Sequence, residues 1–108
     1  MYAQKTIIEA PIGKGAEVRK LIAQKYLPVV RNRPGFLAAY LLEQTDDPDQ
    51  CELVQFWDKH ASVENFQKTG LLEASIQGIA ADIPGCSVKR QGYVIRVAIS
   101  ATGESAPV

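Results

Sequence analysis

The chain has 108 residues, 46% of them apolar, with twelve basic and twelve acidic side chains that cancel. That composition fits one globular domain; it holds no apolar run near the ~18 residues of a membrane-spanning helix and no basic stripe for nucleic acid. The opening residues lack the apolar core of a signal peptide. Cys51 and Cys86 are too widely spaced for a disulfide framework or a zinc site, so a reduced, cytoplasmic protein without a metal is expected.

Tyr2 to Ala10 reads as a first strand, broken by Pro11, Gly13 and Gly15. Gly13-Lys14-Gly15 lacks the spacing and Lys-Ser/Thr ending of a phosphate loop and reads as a turn. From Ala16 to about Arg31, the residues Val18, Leu21, Ile22, Tyr26, Val29 and Val30 recur at three- and four-residue steps, which predicts a helix with one buried stripe. Pro28 lies inside that pattern; having no N–H to donate, it predicts a kink or a loosened last turn. Arg31 and Arg33, beside Pro34-Gly35, read as a solvated helix end whose charge complements the helix dipole.

Gly35 to Gln44 is a second strand, apolar at both parities, with Phe36, Tyr40 and Leu42 set against Leu37 and Leu41. Thr45 to Gln50 is a polar turn whose acids lack the length, glycine and terminal glutamate of a calcium loop. Next, Leu53, Val54, Phe56 and Trp57 cluster around Gln55 in a third strand with both faces covered. Asp58 is placed to cap a helix carrying Ala61, Val63 and Phe66. That helix reaches about Lys68, Gly70 interrupts it, and Leu71 to Ala80 form a further helical piece. Pro84-Gly85 starts a long fourth strand, Ser87 to Ile99. Residues 1–100 form the domain, and the small, polar residues 101–108 read as a disordered tail.

The order strand, helix, strand, strand, helix, strand predicts an α+β, ferredoxin-like βαββαβ fold: a four-stranded antiparallel sheet with its helices on one face. Two helices cover one face only, while strands two and three are apolar on both. A large bare apolar sheet is an interaction surface, so a homodimer packed through the open sheet face is expected. Cys51 and Cys86 would begin the third and fourth strands, ~10 Å apart and beyond disulfide reach.

Three stretches together resemble the antibiotic biosynthesis monooxygenase-type domain of the dimeric α/β-barrel superfamily. They are Arg33-Pro34-Gly35-Phe36 opening a strand, the turn Asp46-Asp47-Pro48, and Val54-Gln55-Phe56-Trp57-Asp58 running into a helix. The resemblance covers roughly residues 2 to 99. It implies a dimeric α/β barrel with a pocket in each subunit between sheet and helices. For some members it implies oxidation of quinols or phenols by molecular oxygen without a cofactor. Trp57 matches the family's tryptophan after the third strand. Phe66 stands where many members carry a histidine; Ile8, Phe66 and Ile76 stand where the haem-degrading branch has asparagine, tryptophan and histidine, so haem degradation is not expected.

The expected reading is thus a cofactor-independent monooxygenase acting on a small phenol, quinol or similar apolar aromatic molecule. A non-catalytic ligand-binding or dimerisation module of the same fold is the alternative. His60 is a candidate proton shuttle, against its ordinary reading as a solvated residue of the first helical turn. Tyr26 is a candidate to handle the phenolic proton, from the buried stripe of the first helix. Trp57 serves either as core or as a wall stacking on substrate. Gln55, among apolar neighbours, needs hydrogen bonds from protein, water or ligand. Phe66 and Tyr40 complete the candidate substrate-binding set. Arg96 is expected to pair across the dimer, snorkel to the edge or hold an anion. An RNA-binding reading is the weakest of the three, since it needs exposed aromatic and basic residues on the open face and that face reads as aliphatic and neutral.

Overall fold

The alternation of the strand sequences decides which side chains share a face. In the computed structural model, which describes residues 1–101 and the backbone of 105–107, β1 (Tyr2–Glu9), β2 (Phe36–Gln44), β3 (Asp47–Trp57) and β4 (Ser87–Val94) form one antiparallel sheet in the order β2-β3-β1-β4. Tyr2, Gln4, Thr6 and Ile8 of β1 pair with Trp57, Gln55, Leu53 and Cys51 of β3. These point to the side covered by helices, and all but Tyr2 are buried. The helices are α1 (Gly15–Leu21), a π-helical turn (Ile22–Tyr26), α2 (Leu27–Val30), α3 (His60–Lys68) and α4 (Leu71–Asp82). The core is Val18, Ile22, Tyr26 and Val30 from the first helical run, Ile8, Leu53 and Trp57 from the sheet, and Val63, Phe66, Leu72 and Ile79 from the second. This is the expected ferredoxin-like α+β arrangement.

Val18, Ile22, Tyr26 and Val30 are all buried although each lies four residues from the last. An α-helix turns 3.6 residues per turn, so such a series drifts round the helix. The wider π turn takes up the drift, and Leu27 N–H donates to the Ile22 carbonyl five residues back. The loosening expected at Pro28 is therefore placed just before it, where α2 restarts with proline in its first turn, a position that needs no N–H.

Several expectations are corrected. β2 does not keep one parity: its register to β3 shifts between Phe36 and Ala38. Such a bulge reverses the faces beyond it, so Phe36 packs on Trp57 on the covered side while Tyr40 faces Phe56 on the open side. The turn before β3 is shorter than read, since β3 starts at Asp47. Asp58 caps no backbone group; α3 starts after the extended Lys59, and Asp58 Oδ1 instead accepts from Ser62 Oγ at 2.6 Å. The fourth strand is not continuous to Ile99. Val94 pairs with Tyr2, Ile95 N–H reaches the Met1 carbonyl at 3.0 Å, and there the partner strand ends. Val97–Ile99 (β5) pairs instead with Ser105–Pro107 (β6) as a separate hairpin. The tail read as disordered falls here; residues 102–104 and 108 lie outside the described residues.

Gly15 is required where α1 starts, since a Cβ there would sit 2.0 Å from the Pro48 carbonyl oxygen. Asp49 accepts from the N–H groups of Gly13 (2.9 Å) and Gly15 (3.0 Å), and these bonds, that from Gly13 first, hold its carboxyl below the usual range. With the Lys14 N–H donating to the Pro11 carbonyl at 2.9 Å, all three amides of Gly13-Lys14-Gly15 are occupied: the segment is a turn.

Candidate functional site

Four of the six expected site residues meet on the covered side of the sheet. The Tyr26 hydroxyl donates to Gln55 Oε1 at 2.9 Å, with both residues buried. Phe66 lies against the Tyr26 ring (centroids 6.4 Å) and stacks on Trp57 (5.7 Å, interplanar angle 29°); Phe36 meets the indole edge-on at 5.4 Å. The π turn matters here, because it keeps Tyr26 in line with Ile22 and Val30 and so aimed at the sheet.

Within this aromatic box two donors have no acceptor: Gln55 Nε2 and Trp57 Nε1 are both buried without a hydrogen-bond partner among the described residues. Gln55 and Trp57 are two residues apart on one strand, so their side chains leave the sheet on the same face. A buried donor left unpaired costs about 1–3 kcal/mol, and a ligand oxygen placed between them would remove that cost. Burial pushes the Tyr26 phenol well above its ordinary pKa, against the smaller opposing effect of its bond to Gln55. At neutral pH Tyr26 is therefore a proton donor and not a phenolate base.

Tyr26 also lines a cavity of about 20 Å³ beneath α4, whose other walls include Thr6, Ile22, Leu72, Ser75 and Ile76. Thr6 and Ser75 were not singled out from the sequence. The signal for Thr6 was its place between Gln4 and Ile8 on the covered parity of β1. Cys51 is buried beside Arg19, and burial raises its thiol pKa, which leaves it a weak nucleophile. Cys51 and Cys86 are free thiols. Among the described residues no cluster of three metal-ligating side chains exists, and no helix is long and apolar enough to cross a membrane.

The structure does not bring His60 and Tyr40 into this group. His60 is exposed at the start of α3; its Nδ1 lies 3.1 Å from Glu64 Oε1 and its ring 4.6 Å from that of Tyr2. Tyr40 is 58% exposed on the open face, edge-on to Phe56. Arg96 is exposed between β4 and β5. Arg33 is not the solvated helix end read from the sequence. Its guanidinium carbon lies 5.7 Å from the centre of the Phe66 ring, and its Nε is buried.

A family model described as antibiotic biosynthesis monooxygenase matches residues 1–78. Solved structures share the fold at low identity. The ActVA-Orf6 monooxygenase of Streptomyces coelicolor, in complex with nanaomycin D, is 17% identical with a TM-score of 0.75, the alignment covering 92% of this chain and 90% of that one. SnoaB, a cofactor-independent oxygenase from Streptomyces nogalater, is 17% identical with a TM-score of 0.70, covering 88% and 93%. A conserved protein from Methanosarcina mazei is 10% identical with a TM-score of 0.67, covering 86% and 92%. No curated protein matches the chain in sequence.

Proposed function

The chain belongs to the antibiotic biosynthesis monooxygenase family, and from that premise we propose that it is a cofactor-independent monooxygenase of a small phenol or quinol. The observation that carries the reading is the pair of unpartnered donors, Gln55 Nε2 and Trp57 Nε1, walled by Phe66 and Phe36. The aromatic walls suit an apolar ring, and the donors suit an oxygen on it. Hydrogen bonds to an ionised oxygen favour the charged form, so the two donors lower the cost of making the phenolate. That electron-rich anion is the reductant of oxygen. One oxygen atom enters the ring, the other leaves as water, and a phenol becomes a quinone. The chain supplies orientation, exclusion of water and fixed dipoles. Tyr26 keeps its proton and holds the Gln55 Oε1, which leaves Nε2 as the free donor of that carboxamide.

The cavity beneath α4 holds about one water as it stands. A ring therefore enters as α4 shifts outward from Tyr26. Ion pairs with flanking elements hold α4 near both ends, Arg90 with Glu73 at 2.9 Å and Lys25 with Asp82.

The functional unit in this reading is a homodimer. Tyr40, Leu42 and Tyr93 stand 58%, 42% and 49% exposed, and Tyr40 and Tyr93 lie on the open face. The β5–β6 hairpin leaves the sheet with Val97 and Ile99 exposed, an apolar arm without a place on its own sheet. A second copy of this chain offers matching surface to both.

Oxygen uptake with a panel of hydroquinones and phenols tests the reaction. Uptake above the buffer rate is expected, falling about 10²-fold in Gln55→Leu, the loss typical of one transition-state donor. The buried donors and the apolar Phe66 also suit binding without turnover. Ligand binding with no uptake on any substrate of the panel would establish that second reading.

A further inference from the structure

Behind the Phe66 ring, away from the Tyr26 cavity, lies a second concavity of about 90 Å³ lined by Arg33, Pro34, Ser62, Asn65 and Phe66. We infer that this is a binding site for a small carboxylate, held by the Arg33 guanidinium against the Phe66 ring.

Local chain geometry builds the site. Arg33 N–H donates to the Val30 carbonyl and its own carbonyl accepts from Phe36 N–H, which ties the loop between α2 and β2. Gly35 sits at φ +83°, and a Cβ there would lie 2.3 Å from Ser62 Oγ and 2.4 Å from Asp58 Oδ1. Only glycine lets the loop settle this closely on α3. The closeness lays Arg33 over Phe66 and buries its Nε.

That Nε–H has no acceptor among the described residues, and no carboxylate there lies within 4.0 Å of the guanidinium nitrogens. The acids of this corner are engaged elsewhere: Asp58 Oδ1 accepts from Ser62 Oγ at 2.6 Å, and Glu64 pairs with His60 at 3.1 Å. An unpaired, buried N–H is costly even though Arg33 as a whole is only half-buried. A planar carboxylate meets the Nε and Nη edge of a guanidinium with two parallel bonds. The Asn65 carboxamide at the rim offers a further N–H. The concavity is several times roomier than the one-water cavity beside Tyr26 and takes a carboxylate together with its first carbons. The site stands independently of whether the Tyr26 side turns over a phenol.

Titration of the full chain with sodium acetate, benzoate or phosphate at constant ionic strength, followed by the ¹⁵N–¹H resonance of Arg33 Nε, tests the inference. A saturable shift with acetate and benzoate is expected, at least tenfold weaker with phosphate. Arg33→Lys keeps the charge and loses the fork; it should weaken binding at least tenfold, read through the Phe66 ring signals. Asn65→Asp changes only an exposed helical residue and should abolish binding by repulsion while leaving the thermal midpoint unchanged. A shift that stays linear with acetate, that chloride reproduces, or that survives Asn65→Asp would overturn the site, leaving Arg33 as a structural cation on Phe66. Activity is not the readout, so loss of oxygen uptake and loss of this site are separate results.

Discussion

The two faces of the sheet carry their side chains in opposite senses. On the covered face Gln4, Thr6 and Gln55 are buried among rings, where an unpaired polar group costs most. On the open face Ile7, Val54, Phe56, Tyr40 and Tyr93 look outward, and in their midst Lys5 and Glu52 pair at 3.2 Å. A single subunit carries both features at a loss of stability. The difference teaches that the faces are unfinished in different ways: one buries donors without acceptors, the other exposes rings and aliphatic side chains.

The widest separation between them is expected from truncating one ring on each side. Trp57→Ala removes a fully buried indole and should destabilise the fold by about 3–5 kcal/mol in urea. Tyr40→Ala on the open face should leave the unfolding of dilute protein within about 0.5 kcal/mol of the parent and lower the apparent mass by light scattering at micromolar concentration. Equal costs for the two would erase the distinction.

A smaller effect sharpens the covered face. Tyr26→Phe leaves Gln55 Oε1 without its donor and should cost about 1–3 kcal/mol at neutral pH. The sign with pH follows from burial, which raises the Tyr26 pKa above its unfolded value of about 10. The unfolded chain loses this proton first, so the contribution is whole below about pH 10 and falls as pH rises, by at most about 1.4 kcal/mol per unit. Urea midpoints measured from pH 8 upward should show that decline in the parent and a shallower one in Tyr26→Phe. Parallel declines would mean that the phenol is not held away from water.

The sheet, its order and the meeting of Tyr26, Gln55, Trp57 and Phe66 were legible because each rests on a period in the chain. The buried stripe aims Tyr26 at the sheet, and alternation puts Gln55 beside Trp57. What escaped depends on an offset that no local pattern carries. One extra residue near Leu37 moves Tyr40 to the far face. The length of β1, and not any breaker in β4, ends that strand at Val94. Arg33 is drawn inward by a ring thirty-three positions later in the sequence. His60 looked chemical because it is the chain's one histidine, yet its contacts are Tyr2 and Glu64 at the surface.

The subtlest difference between the faces lies in Lys5 and Glu52. Their side chains are 33% and 21% exposed at 3.2 Å in the single subunit, close enough to attract and wet enough to be screened. A double-mutant cycle with Lys5→Met and Glu52→Gln should therefore give a coupling below about 1 kcal/mol for unfolding at nanomolar concentration. A second copy on this face would take the pair out of water, where removing one partner strands the other charge and costs about 3–5 kcal/mol. The coupling should then grow as protein concentration rises through the dimerisation range, and raised salt should weaken it at the dilute end more than at the concentrated end. A coupling that keeps one value from nanomolar to high micromolar would mean that water stays on the open face, and the homodimer would have to be built through another surface.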